Sequence, residues 1–222
     1  MTEPRPTAEP PRPTLERRPL REQIRQYVTE AVVAGRWAPG ERIVERRVAV
    51  ELGVSQAPVR EALRELEQLG LVESEPNKGV RVRSFSEADL REIYPVRAGL
   101  EETAARLALP RIDDERLAAL DRHVAALHAA STAGDAAAQV RHGVAFHREI
   151  VAASGNALLG SVWEALGIEV WTTLSIRVYR MDLHENAADH EPIVAAFRRR
   201  DPATGDLLRE HVLGYGGCAL LP

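Results

Sequence analysis

The sequence is poor in the residues that staple, anchor or stiffen a fold. Cysteine occurs once, at Cys218. A lone thiol cannot close an internal disulfide, so a disulfide scaffold is excluded and a reducing cytoplasm is the expected compartment. No apolar run approaches the roughly 20 residues of a membrane span, and the N-terminus lacks the apolar core of a signal peptide, so no membrane partner is expected. Aromatic residues make up only 5%, and the abundance of Ala, Leu and Arg points to a mostly helical protein. A strongly basic balance is also missing, since the net charge is −4. Residues 1–85 carry 15 Lys and Arg against 13 Asp and Glu, and residues 86–222 carry 14 against 20. The first part is therefore at +2 and holds the one lysine, Lys78, so any phosphate contact must come from local clustering.

What is present suffices for two modest domains, with 45% hydrophobic residues in 222. Residues 1–18 contain Pro4, Pro6, Pro10, Pro11 and Pro13 with almost nothing apolar, and read as a disordered tail. A first helix follows over about Leu20 to Ala34, with Leu20, Ile24, Val28, Ala31 and Val32 as its buried stripe and Gly35 as terminator. Two short helices then flank Gly53. The first runs from Arg46 to Leu52. In the second, Ser55 is placed to cap with its hydroxyl, and Pro58 falls in the first turn. Val59, Ala62, Leu63, Leu66 and Leu69 share one face of it, while Gln56, Arg60 and Arg64 lie four apart on the other. Gly70 ends it. Leu71-Val72, the turn Glu75-Pro76-Asn77-Lys78-Gly79 and Val80-Arg81-Val82-Arg83 then form a hairpin with arginines facing outward. A helix-turn-helix with such a wing is a winged helix, a fold suited to DNA.

Residues 20 to 83 resemble the DNA-binding domain of the GntR superfamily of bacterial transcription regulators. The resemblance is carried by Gly35-Arg36 with Pro39-Gly40-Glu41-Arg42, by Glu45-Arg46, by GVSQAPVREAL, by Gly70-Leu71-Val72 and by Asn77-Lys78-Gly79. It implies that Arg46, Ser55, Gln56, Ala57 and Arg60 approach the major groove, and that Lys78 and Gly79 approach the minor groove. Gln56-Ala57 stand where the family commonly has Arg-Thr. Gln can pair with adenine and Ala offers only a methyl, so the operator is expected to differ from the usual one.

Beyond the wing, Ser86 with Asp89 marks the start of a helix and a domain boundary. The division expected is a winged helix-turn-helix domain over 19–84, an all-α effector-binding and dimerisation domain over 85–214, and a C-terminal tail over 215–222. Six helical segments are expected in the bundle, at about 87–109, 114–133, 136–153, 157–180, 187–200 and 203–213, around one ligand cavity. This half is similar to the FCD domain of the FadR-type branch, through Arg97 with Leu100-Glu101, Phe146-His147 with Ser154-Gly155-Asn156, His190 with Ile193, and His211. Six helices would suit its VanR-like variant.

The FCD resemblance implies a metal site at His147, His190 and His211. Three imidazoles suit zinc or nickel, leaving open positions for water or an effector carboxylate. The family's fourth ligand, an aspartate one turn before the first histidine, is Gly143 here, which disfavours manganese and leaves open whether any metal is held. Of the seven histidines, the other four (His123, His128, His142, His184) read as surface or core residues. Arg97 admits two readings, a clamp for a carboxylate effector or an ion pair with Glu101 four residues on. Pro95 would kink this helix or delay its start.

The function expected is a homodimeric, ligand-responsive transcription regulator, not an enzyme, that represses from a near-palindromic operator and answers to a small organic acid. A ligand-independent DNA-binding protein with a dimerisation bundle is one alternative. A three-histidine metalloenzyme is the other, although no general-base motif accompanies the histidines.

Overall fold

A computed structural model describes residues 19–217 apart from 34, 76–78 and 85. The expected N-terminal tail over 1–18, the wing tip with Lys78, and Cys218 lie outside the described residues. Helix α1 (Leu20–Val33) buries Ile24, Val28, Ala31 and Val32. Leu20 is exposed and does not join that stripe. The chain turns at Gly35 and lays down a two-residue strand β1 (Arg42–Ile43), which no alternation in the sequence had announced.

Helix α2 (Glu45–Leu52) ends at Gly53, whose φ of 64° lets its N–H reach the carbonyls of Ala49 and Val50. Helix α3 (Gln56–Gln68) buries Val59, Ala62, Leu63 and Leu66, the apolar face read from spacing, and packs on α1. Ser55 does occupy the N-cap, but its side chain makes no capping bond. The hydroxyl therefore remains on the exposed surface. Strands β2 (Val72–Glu75) and β3 (Gly79–Val82) form the wing, antiparallel with Val72 opposite Val82. Strand β1 adds to the far side of β3, giving the order β1-β3-β2. The two wing arginines face away from buried Val82 as expected, but each has a partner. Arg81 donates to the Gly40 carbonyl at 2.9 Å, and Arg83 pairs with Asp89.

That second pair joins the wing to the next domain. Asp89 belongs to the capping box of α4 (Glu87–Ala108), in which Ser86 N–H donates to Asp89 Oδ2 at 2.9 Å and Ser86 accepts from the Asp89 amide. Pro95 sits inside α4, which starts at Glu87, so of the two readings from the sequence the late start is corrected. Helices α5 (Asp114–Ala133) and α6 (Ala136–Ala153) are capped by Asp113 and Asp135.

The expected segment 157–180 is divided into α7 (Ala157–Ala165) and α8 (Ile168–Tyr179) by Gly167 at φ +63°. The 187–200 segment is likewise replaced by α9 (Leu183–Ala188) and α10 (Glu191–Arg198), parted at Asp189-His190. Helix α11 (Thr204–Tyr215) closes the bundle against α4. The six segments are thus eight helices, and helix number no longer favours the VanR-like variant. The tail expected from 215 also begins later, since Tyr215 ends α11 and Gly216 is buried against Tyr94. One connected core runs through both halves, from Ile24 and Leu66 to Tyr94, Trp171 and Phe197.

Candidate functional site

Helix α6 presents Gln139, Gly143 and His147 to the interior at intervals of one turn, and all three are buried. His190 precedes α10 and His211 lies in α11. The fold brings these histidines together. Ring centroids are 5.6 Å apart for His147 and His190, 5.3 Å for His147 and His211, and 4.5 Å for His190 and His211. One nitrogen from each lies within 4.8 Å of the others. The remaining four histidines stand outside the cluster: His128 contacts Glu191, His184 contacts Ser131, and His123 and His142 face each other at 6.2 Å.

Each ring has a lone pair to offer. His190 Nδ1 is 2.7 Å from the Asn186 carbonyl, which can only accept, so the proton sits on Nδ1 and Nε2 is bare. His147 Nδ1 is 2.5 Å from Glu101 Oε2, so the same logic leaves its Nε2 bare. His211 Nε2 is buried with no hydrogen-bond partner among the described residues. Burial, then the neighbouring histidines, hold His190 and His211 neutral: His190 is pushed down to about 3, and His211 falls well below the ordinary value. His147 is also lowered by burial, against the opposing pull of Glu101. Neutral imidazoles with bare nitrogens are the ligating form, and a buried orphan nitrogen is what a bound cation would satisfy. The residues present therefore fit a zinc- or nickel-type ion. A Cβ on Gly143 would meet nothing closer than Leu127 Cδ2 at 3.9 Å, so the position has room for a Cβ.

Glu101 is the residue that sequence reasoning quoted and undervalued. Its buried carboxylate accepts from Arg97 Nε at 2.7 Å and from Trp163 Nε1 at 2.8 Å while holding His147. A carboxylate behind a ligating histidine fixes its tautomer and orientation. Burial would raise the Glu101 pKa, but the charge of Arg97 and the His147 contact outweigh it and bring it down to about 2. Arg97 also donates to Thr172 Oγ1 at 3.0 Å and lies over the Tyr94 ring. Of the two readings of Arg97, the ion pair with Glu101 is the one the geometry contains.

A cavity of about 450 Å³ opens beside His211, with Asp182, Glu185, Asp189, Glu210, Asn186 and Tyr215 in its lining and no lysine or arginine among the described residues. Another, of about 360 Å³, lies between the halves of the chain, where Arg25 and Leu69 face Trp163 and Gly167. Trp163 is thus among the residues lining the cleft, and its indole N–H donates to Glu101 at the histidine site.

In the N-terminal part of the chain, Arg46, Ser55, Gln56, Ala57 and Arg60 are all exposed. Gly79, at φ +80°, has Arg42 beside it, where a Cβ would be 3.0 Å from Arg42 Nε. Arg42 was no candidate from sequence, because its place beside the wing depends on the unforeseen pairing of β1. Among the described residues no helix is long and apolar enough to cross a membrane.

A winged helix packed through a shared core onto a helical domain with a buried cluster of three histidines is the build of a ligand-sensing transcription regulator. Comparison with known proteins agrees. Residues 20–82 match "Bacterial regulatory proteins, gntR family" and residues 92–214 match "FCD domain". The chain is 38% identical over 208 residues to the "Probable D-xylose utilization operon transcriptional repressor" of Paenarthrobacter nicotinovorans, covering 94% of this chain and 90% of that protein. It is 31% identical over 206 residues to the "HTH-type transcriptional repressor GlaR" of Escherichia coli K12, covering 85% and 90%. In fold it is similar to E. coli McbR/YncC, with a TM-score of 0.72 at 23% identity over 90% of this chain and 95% of that one. The chain belongs to the gntR family of bacterial regulatory proteins and carries an FCD domain. It is a transcriptional repressor of that type and not an enzyme, which sets aside the metalloenzyme reading.

Proposed function

We propose that this repressor binds a near-palindromic operator as a homodimer, with residues 19–84 reading DNA and residues 85–214 sensing a small molecule. Arg46, Ser55, Gln56, Ala57 and Arg60 enter the major groove, while Lys78 and Gly79 approach the minor groove. Its place of action is the cytoplasm, where such an operator is found. His147, His190 and His211 hold a divalent metal, with zinc or nickel favoured over manganese because Gly143 offers no carboxylate. When bound, that ion supplies open coordination positions for an oxygen donor of the effector.

The observation that carries the ligand-responsive reading is the double contact of Trp163, which borders the cleft facing α1 and α3 and donates to the carboxylate that holds His147. A ligand that moves His147 or Glu101 thereby presses on the junction with the DNA-reading domain.

The effector class follows from charge. A small carboxylate needs a free cation, and Arg97 is already neutralised by Glu101. Among the described residues lining the cavity beside His211 no other cation is offered, so a carboxylate would reach the metal past acidic side chains. A neutral polyhydroxy compound can use that route and also donate its hydroxyls to Asp182, Glu185 or Asp189. A sugar is therefore the effector favoured, in keeping with the xylose operon named for the first of these relatives.

The test is selection of a duplex from a random-sequence library with the full-length chain, followed by gel-shift titration. Two chains per inverted-repeat duplex, with release by D-xylose or a related aldose and not by lactate or citrate, is the expected result. Binding by a single chain, or release by the acids alone, overturns the corresponding part.

A further inference from the structure

We infer that Glu45 is a specificity-determining residue of the DNA interface, because it clamps Arg60 edge-on and leaves only the end of the guanidinium to read a base. The inference rests on the DNA-reading role of α3. Arg60 Nε lies 3.0 Å from Glu45 Oε2 and 3.3 Å from Oε1, and Arg60 Nη2 lies 3.0 Å from Oε2. The carboxylate thus occupies the edge of the guanidinium formed by Nε and Nη2. The end edge, with one proton of Nη1 and the second proton of Nη2, is left uncovered by it.

Glu45 is the first residue of α2 and Arg60 is in the second turn of α3, so the pair spans the two members of the helix-turn-helix. The arginine is 53% exposed and the glutamate 26%. An exposed pair of this kind adds little to stability, which makes a structural purpose weak. Its effect on recognition is larger. A free arginine side chain can swing to a phosphate as readily as to a base, and contributes to specific and nonspecific binding alike. A clamped one is held at fixed reach with an end-on fork matching guanine O6 and N7. The carboxylate also repels phosphate, so it weakens nonspecific binding while sharpening the specific kind.

Two opposite effects distinguish this role from a structural one. In selections from a random duplex library, Arg60→Ala should erase a guanine preference at one position of each half-site, a discrimination of roughly 5- to 150-fold. Glu45→Ala should relax that same position and no other by at least about fivefold, while affinity for unselected DNA rises. Glu45→Gln, which keeps one acceptor for Arg60, should retain part of the preference. Circular dichroism and melting temperature check the fold of each variant. If Glu45→Ala keeps the full preference at the position lost in Arg60→Ala, or weakens every position equally with nonspecific DNA, the clamp is refuted. If Arg60→Ala alters no position, the failure lies instead with the base-reading role of Arg60.

Discussion

Replacing Trp163 by phenylalanine removes one hydrogen bond from the Glu101 carboxylate and keeps an aromatic ring in the core. Trp163 is fully buried, and its Nε1 donates to Glu101 Oε1 at 2.8 Å. Glu101 carries a charge that burial opposes and that Arg97, His147 and Trp163 together sustain. Removing a donor to a buried charged group costs about 1.5–3 kcal/mol. The smaller ring leaves a void of roughly 40 Å³, which at about 24 cal/mol per Å³ adds close to 1 kcal/mol. A loss of about 2.5–4 kcal/mol is therefore expected in urea unfolding. Because Glu101 orients His147, zinc affinity should fall as well, by roughly 10- to 100-fold, the range typical of losing an outer-shell partner. Isothermal titration of the purified variant measures this. A stability loss below about 1 kcal/mol with unchanged zinc affinity would refute the reasoning, since Glu101 would then need neither the indole nor its orientation.

Further substitutions probe other parts of the same structure. Gly143→Asp should tighten zinc binding and admit manganese more readily, because it places an oxygen donor one turn before His147; calorimetric titration with zinc, nickel and manganese decides, and unchanged affinity for all three counts against the site. Gly167→Ala should cost at least about 1–2 kcal/mol from the left-handed backbone alone, and its Cβ, 2.5 Å from Leu69 Cδ2, should also disturb operator affinity. In metal-free protein the buried histidines should make the fold labile to acid. The His190 pKa lies near 3 against an ordinary 6.5, so the unfolded chain takes the proton first and stability is lost as pH falls below 6.5. At pH 5.5 this amounts to about 1.4 kcal/mol from His190 alone; equal unfolding midpoints at pH 7.5 and 5.5 in chelator would contradict it.

The parts legible in the sequence were those set by short-range chemistry. Gly53 and Gly70 marked helix ends because the backbone there needs positive φ. The pair Ser86 and Asp89 marked a helix start because each satisfies the other's amide. The apolar face of α3 followed from its spacing. What could not be read depended on contacts between distant segments. The break at Gly167 arises where the chain meets Leu69, ninety-eight positions earlier, and nothing in the apolar run around it announces that meeting. Strand β1 has two residues, too few to show a period, and exists because β3 offers it an edge. The histidines' long separations carried no signal without the family resemblance. Arg97 showed its spacing to Glu101 but not that both would be buried, which turned a surface pair or ligand clamp into the support of a histidine. Ser55 was right in place and wrong in use, because a cap position does not oblige the hydroxyl to bond.

Operator release measured together with zinc content, on the native chain and on His190→Ala, tests most directly whether the histidine cluster governs DNA binding. The native chain should retain zinc through purification and release its selected duplex on addition of the aldose. The variant should lack zinc and bind the duplex with an affinity that the sugar no longer changes. If His190→Ala responds to the sugar as the native chain does, the three histidines are not the sensor.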